Sequence, residues 1–265
     1  MDYKYLKLKI DNSGVATVTL NRPEIHNAFN DDLIEELRHV FFELDQNENC
    51  RLGILTGEGK SFCAGADLNW MKSMVNYSKS ENIRDSRKMA KMFSTIDSFS
   101  KPLIGKVNGH ALGGGVGLAA VCDYVVASER AKFGFTETRL GLIPAVISPY
   151  CVQKIGVSNA RAWFLSGEIF NAAKAFELKL VHETCELERL NERVDELVES
   201  FLKAGPKASV AAKALIKSIT TLPTSDVEEY TLERIAELRV SEEGQEGMQA
   251  LLTKSKPNWV KHENK

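Results

Sequence analysis

The feature that most constrains the fold is a glycine-rich apolar block between positions 108 and 138, NGHALGGGVGLAAVCDYVVASERAKFGFTET. Three consecutive glycines, Gly113–Gly115, precede a short apolar segment with helical character. Glycines let backbone N–H groups approach a ligand closely, and a helix N-terminus favours negative charge. The block then runs through extended residues to a single carboxylate, Glu137. It predicts either a tightly packed strand-to-helix turn or a backbone anion site beside one acid–base group.

Two nucleotide-binding motifs are excluded by the spacing of these glycines. The run GGGVG differs from the dinucleotide pattern GxGxxG, and no GxxxxGK[ST] occurs in the chain. Gly117, within the same block, contributes no side chain at all. The chemistry of the block therefore depends on backbone groups and on Glu137.

Composition narrows the class of protein further. The chain has 265 residues, of which 43% are hydrophobic and 26% charged, which is typical of a globular protein with a sizeable core. A net charge of −2 gives no basic field for nucleic acid or a membrane surface. The sequence contains no run of about 18 apolar residues, so no membrane span is predicted. The N-terminal residues also lack the apolar stretch of a signal peptide.

Cysteine usage points to a reducing compartment. The five cysteines are odd in number and form no CxxC, so neither a disulfide framework nor a zinc site is expected. Free thiols suit the cytoplasm. No His, Cys or carboxylate cluster has the spacing of metal ligands, and we expect no metal.

Strands and helices interleave over roughly the first 155 residues, and helices dominate the rest. The predicted strands are Tyr3–Ile10, Val15–Leu20, Leu52–Thr56, Pro102–Val107 and Tyr124–Ala127. The predicted helices are Asn30 (as cap) to Asp45, Asp85–Phe99, Gly115–Val121, Ala160–Leu165 (capped by Ser158), Ala172–Leu178 (capped by Asn171), Glu188–Lys203, Pro206–Thr220 and Asp226–Leu252. Gly57–Asp67 is predicted as a loop and Asn69–Ser80 as polar and irregular. This order predicts an α/β core with a helical C-terminal extension.

A second candidate segment is SFCAGADL, residues 61–68, which follows a predicted buried strand. Its small residues end at Asp67, a possible helix cap. Cys63 is interpreted as a small packed residue, because no Cys/His pattern supports a nucleophile. Taken alone, the segment is typical of a capped helix start.

Three separated motifs together resemble the enoyl-CoA hydratase/isomerase (crotonase) superfamily. They are LNRPEIHNAFN, GKSFCAGADL and the glycine block extended to TRLGLIP, and the likeness runs from about residue 5 to 257. It implies an α/β spiral of repeated strand–strand–helix units over residues 1–200, followed by a helical trimerisation segment over 201–265. It also implies an acyl-CoA thioester substrate, no cofactor beyond the coenzyme A of that substrate, and a homotrimer or dimer of trimers.

The resemblance also implies roles for particular residues. The backbone N–H groups of Ala66 and Gly114 would form the anion hole that binds the thioester oxygen as it becomes an enolate. Preorganised donors of this kind stabilise a transition state by roughly 3–4 kcal/mol each. The residues implied to contact the substrate or its coenzyme A are Ile25, His26, Ala64, Ala66, Asp67, Leu68 and Gly114.

Many hydratases of this family use two glutamates, and only one is present here. The second falls on Glu137, whereas the first falls on Gly117, 20 residues earlier, as the family spacing requires. Glu137 could activate water and then protonate carbon 2, or it could move a proton between carbons 2 and 4. A buried carboxylate should have a raised pKa, which suits either role. We therefore expect hydration, with isomerisation and a non-catalytic acyl-CoA-binding protein as alternatives.

A narrower likeness concerns the substrate. GLIPAVISPYCVQKIG, GADLNWM and SEEGQEGMQALLTKSKPNW are similar to hydratases of methylglutaconyl-CoA and isohexenylglutaconyl-CoA. Their substrates carry a distal carboxylate, so a cation is expected near the acyl group. Arg139, Lys72 and Arg84 are the candidates, with a surface position or a contact to a coenzyme A phosphate as the alternative. Val146 and Ile147 predict a reshaped acyl pocket.

Overall fold

The computed structural model describes residues 3–260, which form two compact units. The first unit comprises the chain up to Phe99 together with Leu103–Val194, and the second comprises Ser100–Pro102 and the chain from Asp195 onward. In the described part of the chain, no helix has the length and apolar character needed to cross a membrane. The division predicted from the resemblance, a spiral core over residues 1–200 and a trimerisation segment over 201–265, stays a prediction.

The first unit contains two sheets. The strands are β1 (Leu6–Ile10), β2 (Val15–Leu20), β3 (Leu52–Gly57), β4 (Ser61–Cys63), β5 (Leu103–Val107), β6 (His110–Leu112), β7 (Tyr124–Ser128), β8 (Lys132–Gly134), β9 (Ile169–Asn171) and β10 (Glu183–Cys185). The larger sheet has the order β1-β2-β3-β5-β7-β10, and the smaller has the order β4-β6-β8-β9. Strands from β2 onward pair in parallel in the larger sheet, whereas β1 and β2 form an antiparallel hairpin.

Ten helices complete the described chain. They are α1 (Asp31–Gln46), α2 (Leu68–Met74), α3 (Lys79–Asp97), α4 (Gly114–Ala120), α5 (Ser148–Ser166), α6 (Ala172–Glu177), α7 (Leu190–Leu202), α8 (Pro206–Ile219), α9 (Thr224–Val240) and α10 (Glu242–Thr253). Short 3-10 helices occur at Pro23–Ile25, Thr136–Leu140 and Leu187–Arg189.

The spiral arises because successive strands alternate between the two sheets. The pairs β3–β4, β5–β6 and β7–β8 each place one strand in the larger sheet and the next in the smaller sheet, and a helix follows. Every residue of β3 is buried, as expected for a parallel strand covered on both faces. The predicted α/β class and its strand–strand–helix repeat are confirmed.

Amphipathic helices supply much of the core of the first unit. The Asn30 side chain caps α1 by accepting from the Leu33 N–H at 2.9 Å, as predicted. The apolar face of α1 is buried, and Phe41 meets Phe99 edge to face with ring centroids 5.5 Å apart. In α3 the buried face carries Met92, Phe93 and Ile96. Each such side chain stabilises the fold by about 1.5–3 kcal/mol.

The segment predicted to be irregular is largely helical. Asp67 caps α2, and α3 begins at Lys79, because Ser78 and Glu81 form a reciprocal capping box. The predicted loop before Asp67 contains β4, whose three residues are all buried. The irregular prediction was wrong because it weighed the polar composition of this stretch above its capping residues.

The predicted helix Ala160–Leu165 is confirmed, because it lies in the second of two helical stretches that meet within α5 at Gly156, where φ is +74°. The first stretch, which begins at Ser148, was not predicted. A helix prediction further along the chain was wrong. The predicted single C-terminal helix is two helices, α9 and α10. Ser241 separates them, and its hydroxyl accepts from the Gly244 N–H at 3.0 Å. Glu243, in the first turn of α10, accepts from two N–H groups at the start of α8.

Candidate active site

The glycine turn lies between β6 and α4. Gly113 has a φ of +51° and donates its N–H to the Gly134 carbonyl at 2.9 Å, which joins the turn to β8. The surroundings are tight, because a Cβ on Gly114 would lie 2.8 Å from Phe29 Cε2. Close packing therefore explains why side chains are absent here. The first N–H groups of α4 lack intrahelical partners because they precede the first helical turn.

Ala66 lies beside this turn on an isolated parallel bridge to Phe29. The Phe29 N–H donates to the Gly65 carbonyl at 2.7 Å, and the Asp67 N–H donates to the Phe29 carbonyl at 2.9 Å. Because backbone groups alternate along an extended strand, the N–H of Ala66 itself points away from Phe29. A Cβ on Gly65, whose φ is +88°, would lie only 3.7 Å from the Gly114 nitrogen.

The N–H groups of Ala66 and Gly114 are thus near neighbours with unused hydrogen-bonding capacity. Within residues 3–260, neither N–H donates to a protein acceptor. Two such donors side by side are the arrangement that stabilises an oxyanion. The structure brings together the two donors that the sequence resemblance implied, and their role stays a prediction.

The side chain of Glu137 reaches the same glycine turn. It lies in the 3-10 helix Thr136–Leu140 that follows β8, and its Oε1 would be 3.3 Å from a Cβ on Gly113. Burial raises the pKa of Glu137, partly offset by a hydrogen bond from its own N–H. Its Oε2 is buried without a hydrogen-bond partner, and no cation among the described residues pairs with it. The Oε2 atom is therefore not engaged by the protein, and the acid–base role of Glu137 stays a prediction.

Position 117, where the resemblance places the first of the two glutamates, is closed. A Cβ on Gly117 would lie 2.3 Å from Ile147 Cγ2 and 2.9 Å from Phe93 Cε1. Ile147 is only 2% exposed and Phe93 is completely buried. The missing carboxylate is thus replaced by packed hydrocarbon rather than by open space.

Aromatic rings extend this packing into an apolar wall, formed by Phe29, Phe93, Ile147 and Tyr150. Phe29 and Phe93 meet edge to face at 6.3 Å, and Phe93 and Tyr150 are 5.9 Å apart. Burial raises the pKa of the Tyr150 hydroxyl, with a smaller contribution from Asp97. The apolar wall thus provides no ionised group near neutral pH to replace the missing glutamate.

The buried cysteines of this region are unsuited to nucleophilic chemistry. Burial raises the pKa of the Cys63 thiol to about 12. Burial also raises the pKa of the Cys151 thiol, and the nearby charge of Glu137 adds to the effect. The interpretation of Cys63 as a packed residue is supported by its complete burial.

The residues predicted to contact coenzyme A form a continuous edge beside Ala66. The His26 carbonyl accepts from the Ala64 N–H at 3.0 Å, and His26 Nδ1 lies 3.0 Å from Ser61 Oγ. These bonds attach the loop of Ile25 and His26 to β4 and its continuation. Leu68, at the start of α2, is 75% exposed. Coenzyme A binding at this edge stays a prediction.

Asp67 differs from the rest of this set. Its side chain is buried and pairs with the Arg22 guanidinium at 2.9 Å. Burial alone would raise the pKa of Asp67, but hydrogen bonds from the Asn69 N–H and from Arg22 hold that pKa below its usual value. The carboxylate is therefore engaged within the protein, and sequence reasoning gave no role to Arg22, which is 45 residues away.

The remaining candidates lie on the surface. Arg139 follows Glu137 in the same 3-10 helix, Lys72 belongs to α2 and Arg84 to α3, and all three are exposed. His110, which adjoins the glycine turn in sequence, is also exposed, and its Nδ1 accepts from the Lys132 N–H at 3.2 Å. No group of three or more His, Cys, Asp or Glu among the described residues could hold a metal ion.

Comparison with known proteins agrees with this geometry. The family model for enoyl-CoA hydratase/isomerase matches residues 11–262. A putative enoyl-CoA hydratase of Thermus thermophilus is 31% identical over 95% of this chain and 100% of its own length. The 2,3-dehydroadipyl-CoA hydratase of Escherichia coli is 31% identical over 92% of this chain and 94% of its own.

Solved structures show the same fold. The crystal structure of an enoyl-CoA hydratase from Shewanella pealeana superposes with a TM-score of 0.93 at 38% sequence identity, covering 97% of each chain. The fold, the extent of the family match and these relatives lead to one conclusion. The chain belongs to the enoyl-CoA hydratase/isomerase (crotonase) superfamily and is an enzyme of that family.

Proposed function

We propose that this enzyme adds water reversibly across the C2=C3 bond of a 2-enoyl-CoA thioester, with Glu137 as its only acid–base group. The observation that carries the proposal is the unpaired, half-buried carboxyl of Glu137 beside the two unused N–H groups of Ala66 and Gly114. Glu137 is the carboxylate that lies against Gly113 of the glycine turn.

In the proposed reaction, the two N–H groups bind the thioester oxygen. Negative charge develops on that oxygen when a nucleophile adds to carbon 3, and the donors stabilise the resulting enolate. Their expected contribution is about 3–4 kcal/mol each, because they are held in place before the reaction begins.

Glu137 would move both protons. Its carboxylate takes a proton from water while the hydroxyl oxygen bonds to carbon 3 and the C2=C3 electron pair moves into the enolate. The same carboxyl group then gives its proton to carbon 2, which restores the carboxylate and yields the 3-hydroxyacyl thioester. A pKa raised by burial suits a group that must both accept and donate a proton near neutral pH.

Closure of position 117 favours a second candidate, isomerisation. The apolar wall offers no second carboxylate to hold or orient water, whereas moving a proton between carbons 2 and 4 needs only one acid–base group. In that reaction Glu137 removes a proton from one carbon of a 3-enoyl thioester and returns it at the other through a dienolate.

A panel of thioesters separates these reactions. We expect loss of the conjugated enoyl absorbance with 2-enoyl-CoA or 3-methylglutaconyl-CoA if water is added. Appearance of that absorbance from 3-enoyl-CoA would instead identify an isomerase. No turnover of any thioester, together with retained binding and a Glu137→Gln variant indistinguishable from wild type, would support a non-catalytic acyl-CoA-binding protein.

We also propose a branched acyl group with a distal carboxylate. Support comes from the motif likeness and from the E. coli relative, whose name describes a dicarboxylic acyl thioester. Arg139 is the preferred cation, because it follows Glu137 in the same turn. An Arg139→Met variant should raise the Michaelis constant for 3-methylglutaconyl-CoA but not for crotonyl-CoA, and an unchanged constant for both would contradict the proposal.

We further propose that the enzyme forms a homotrimer or a dimer of trimers, that it acts in the cytoplasm, and that it uses no cofactor. Apolar side chains of the second unit support association, since Val240, Leu251 and Leu252 are each more than three-quarters exposed. The free thiols of all five cysteines support a reducing compartment. Sedimentation at several protein concentrations would test the assembly, and a monomer at all of them would contradict it.

A further inference from the structure

We propose that Arg22 is a positioning residue for the oxyanion-binding N–H of Ala66, and that it acts from both sides of the bridge between Ala66 and Phe29. The inference rests on the proposed function, in which Ala66 supplies one of the two donors. Arg22 does not reach the reacting atoms itself, because it is buried against neighbouring backbone and side chains.

The surroundings of Arg22 fix its guanidinium closely. Nη2 lies 2.9 Å from Asp67 Oδ2, and Nη1 donates to the Ala28 carbonyl at 2.6 Å. The guanidinium also lies 4.6 Å above the ring of Tyr5, in cation–π geometry. The Arg22 N–H donates to Asn27 Oδ1 at 2.9 Å.

These contacts hold both partners of the bridge. Ala28 precedes Phe29, and Asp67 follows Ala66, so one guanidinium binds a residue adjacent to each partner. The bridge is closed by the two hydrogen bonds between Phe29 and the residues on either side of Ala66. A shift of Arg22 would therefore alter the distance and orientation of the Gly65–Ala66 peptide, which carries the Ala66 N–H, relative to Gly114.

Asp67 transmits the constraint through side chain and backbone together. One carboxylate oxygen pairs with Arg22, while the other accepts from the Asn69 N–H at 2.8 Å and caps α2. The Asp67 N–H is held by the Phe29 carbonyl at 2.9 Å. The Ala66–Asp67 peptide is thus fixed at one end by a charge pair and a helix cap.

A role in geometry explains why a buried ion pair stands here. Burying two charges costs desolvation energy that their attraction does not reliably recover, so apolar residues of similar size would often be at least as stabilising. Arginine differs from lysine in offering several donors in a rigid fork, and this site uses two of them on different elements. The pair supplies directional contacts that hydrocarbon packing cannot.

The test uses three variants of the full-length enzyme, Arg22→Met, Arg22→Lys and the double variant Arg22→Met/Asp67→Asn. Arg130→Met is the matched control, because Arg130 and Glu188 form an exposed ion pair at 2.7 Å elsewhere in the first unit. For Arg22→Met we expect kcat to fall by about 10- to 100-fold with KM changed by less than about threefold, since small displacements of preorganised groups act on the transition state.

The other variants separate positioning from stability. Arg22→Lys should recover part of kcat, because an ammonium group can pair with Asp67 but cannot hold Ala28 in the same fork. The double variant removes both buried charges, so its unfolding temperature should return toward wild type while its kcat stays low. Recovery of kcat together with stability would overturn the positioning role.

A second readout does not depend on turnover. The infrared carbonyl stretch of a bound saturated acyl-CoA, labelled with carbon-13 at carbon 1, reports hydrogen bonding to the thioester oxygen. We expect a shift to lower frequency on binding to wild type and a smaller shift with Arg22→Met and the double variant. Equal shifts in wild type and every folded variant would overturn the inference.

The two readouts distinguish the inference from the proposed function. A wild-type enzyme that binds the labelled thioester without any carbonyl shift would refute the anion hole itself, and with it the proposed function. Failure of all three variants to fold would show that Arg22 is required for the fold rather than for positioning, and would overturn the inference while leaving the proposed function intact.

Discussion

Glu137 and Asp67 are both carboxylates enclosed by the first unit, yet their surroundings differ in one respect. Asp67 is paired with Arg22 and capped onto α2, whereas Glu137 has a buried oxygen with no partner. Pairing holds the pKa of Asp67 below its usual value, and burial raises the pKa of Glu137. In the functions proposed above, the unpaired carboxyl group exchanges protons and the paired one fixes geometry.

The sharpest test of this contrast is Glu137→Gln. We expect kcat to fall by about 100- to 10,000-fold, because proton transfer by a positioned group contributes a factor of that size. Binding of a saturated acyl-CoA, measured by calorimetry, should change little because the amide has nearly the same shape. Glu188→Gln, at an exposed ion pair, is the control, and equal loss in both variants would remove Glu137 from its proposed role.

Replacing the paired carboxylate, Asp67, should instead lower the stability of the fold. Asp67→Asn leaves Arg22 buried without its counter-charge, and we expect a loss of about 3–5 kcal/mol in the free energy of unfolding. The exposed pair provides the comparison, since Arg130→Met should cost no more than about 1 kcal/mol. Urea unfolding of both variants measures the difference. Similar small losses in both would show that Arg22 does not depend on Asp67 as its buried counter-charge.

Position 117 gives a third test of what the apolar wall does. Gly117→Glu alone should destabilise the fold by about 1–3 kcal/mol, because its side chain would overlap Ile147 and Phe93. Adding Ile147→Ala should relieve part of this loss. If the closed position limits water addition, the double variant should hydrate crotonyl-CoA faster than Ile147→Ala alone; equal rates would show that one carboxylate suffices.

The smallest effects should appear in the pH dependence of stability. Because the pKa of Glu137 is raised, its contribution to the free energy of unfolding is full below the ordinary glutamate pKa range. That contribution is lost as pH rises through the raised pKa. Because the pKa of Asp67 is lowered, its contribution to the free energy of unfolding is full above the ordinary aspartate pKa range. That contribution is lost as pH falls through the lowered pKa.

Unfolding measured over a pH series checks these signs. Glu137→Gln should gain stability relative to wild type as pH rises, whereas Asp67→Asn should lose stability relative to wild type as pH rises. Parallel curves for wild type and either variant would contradict the assigned shift of that carboxyl group.

Much of the local structure follows from short-range patterns. Asn30 and Asn171 cap their helices as predicted, because a cap needs only a side-chain oxygen next to the first free N–H groups. The same local rule would have found α3 from Ser78 and Glu81. The kink at Gly156 and the division of the last two helices at Ser241 are also local, because Gly156 has a positive φ and Ser241 caps α10, but hydrophobic periodicity alone records neither.

The sequence by itself determined the family, the glycine turn and the presence of one carboxylate where two are common. These are properties of residue identity and order, and motifs record them directly. Only the tertiary structure decided that Ile147 closes position 117, that Arg22 engages Asp67 and that Glu137 is left unpaired. The physical reason is that burial and pairing arise between residues distant in the chain, and they set both the space and the pKa values in which the chemistry takes place.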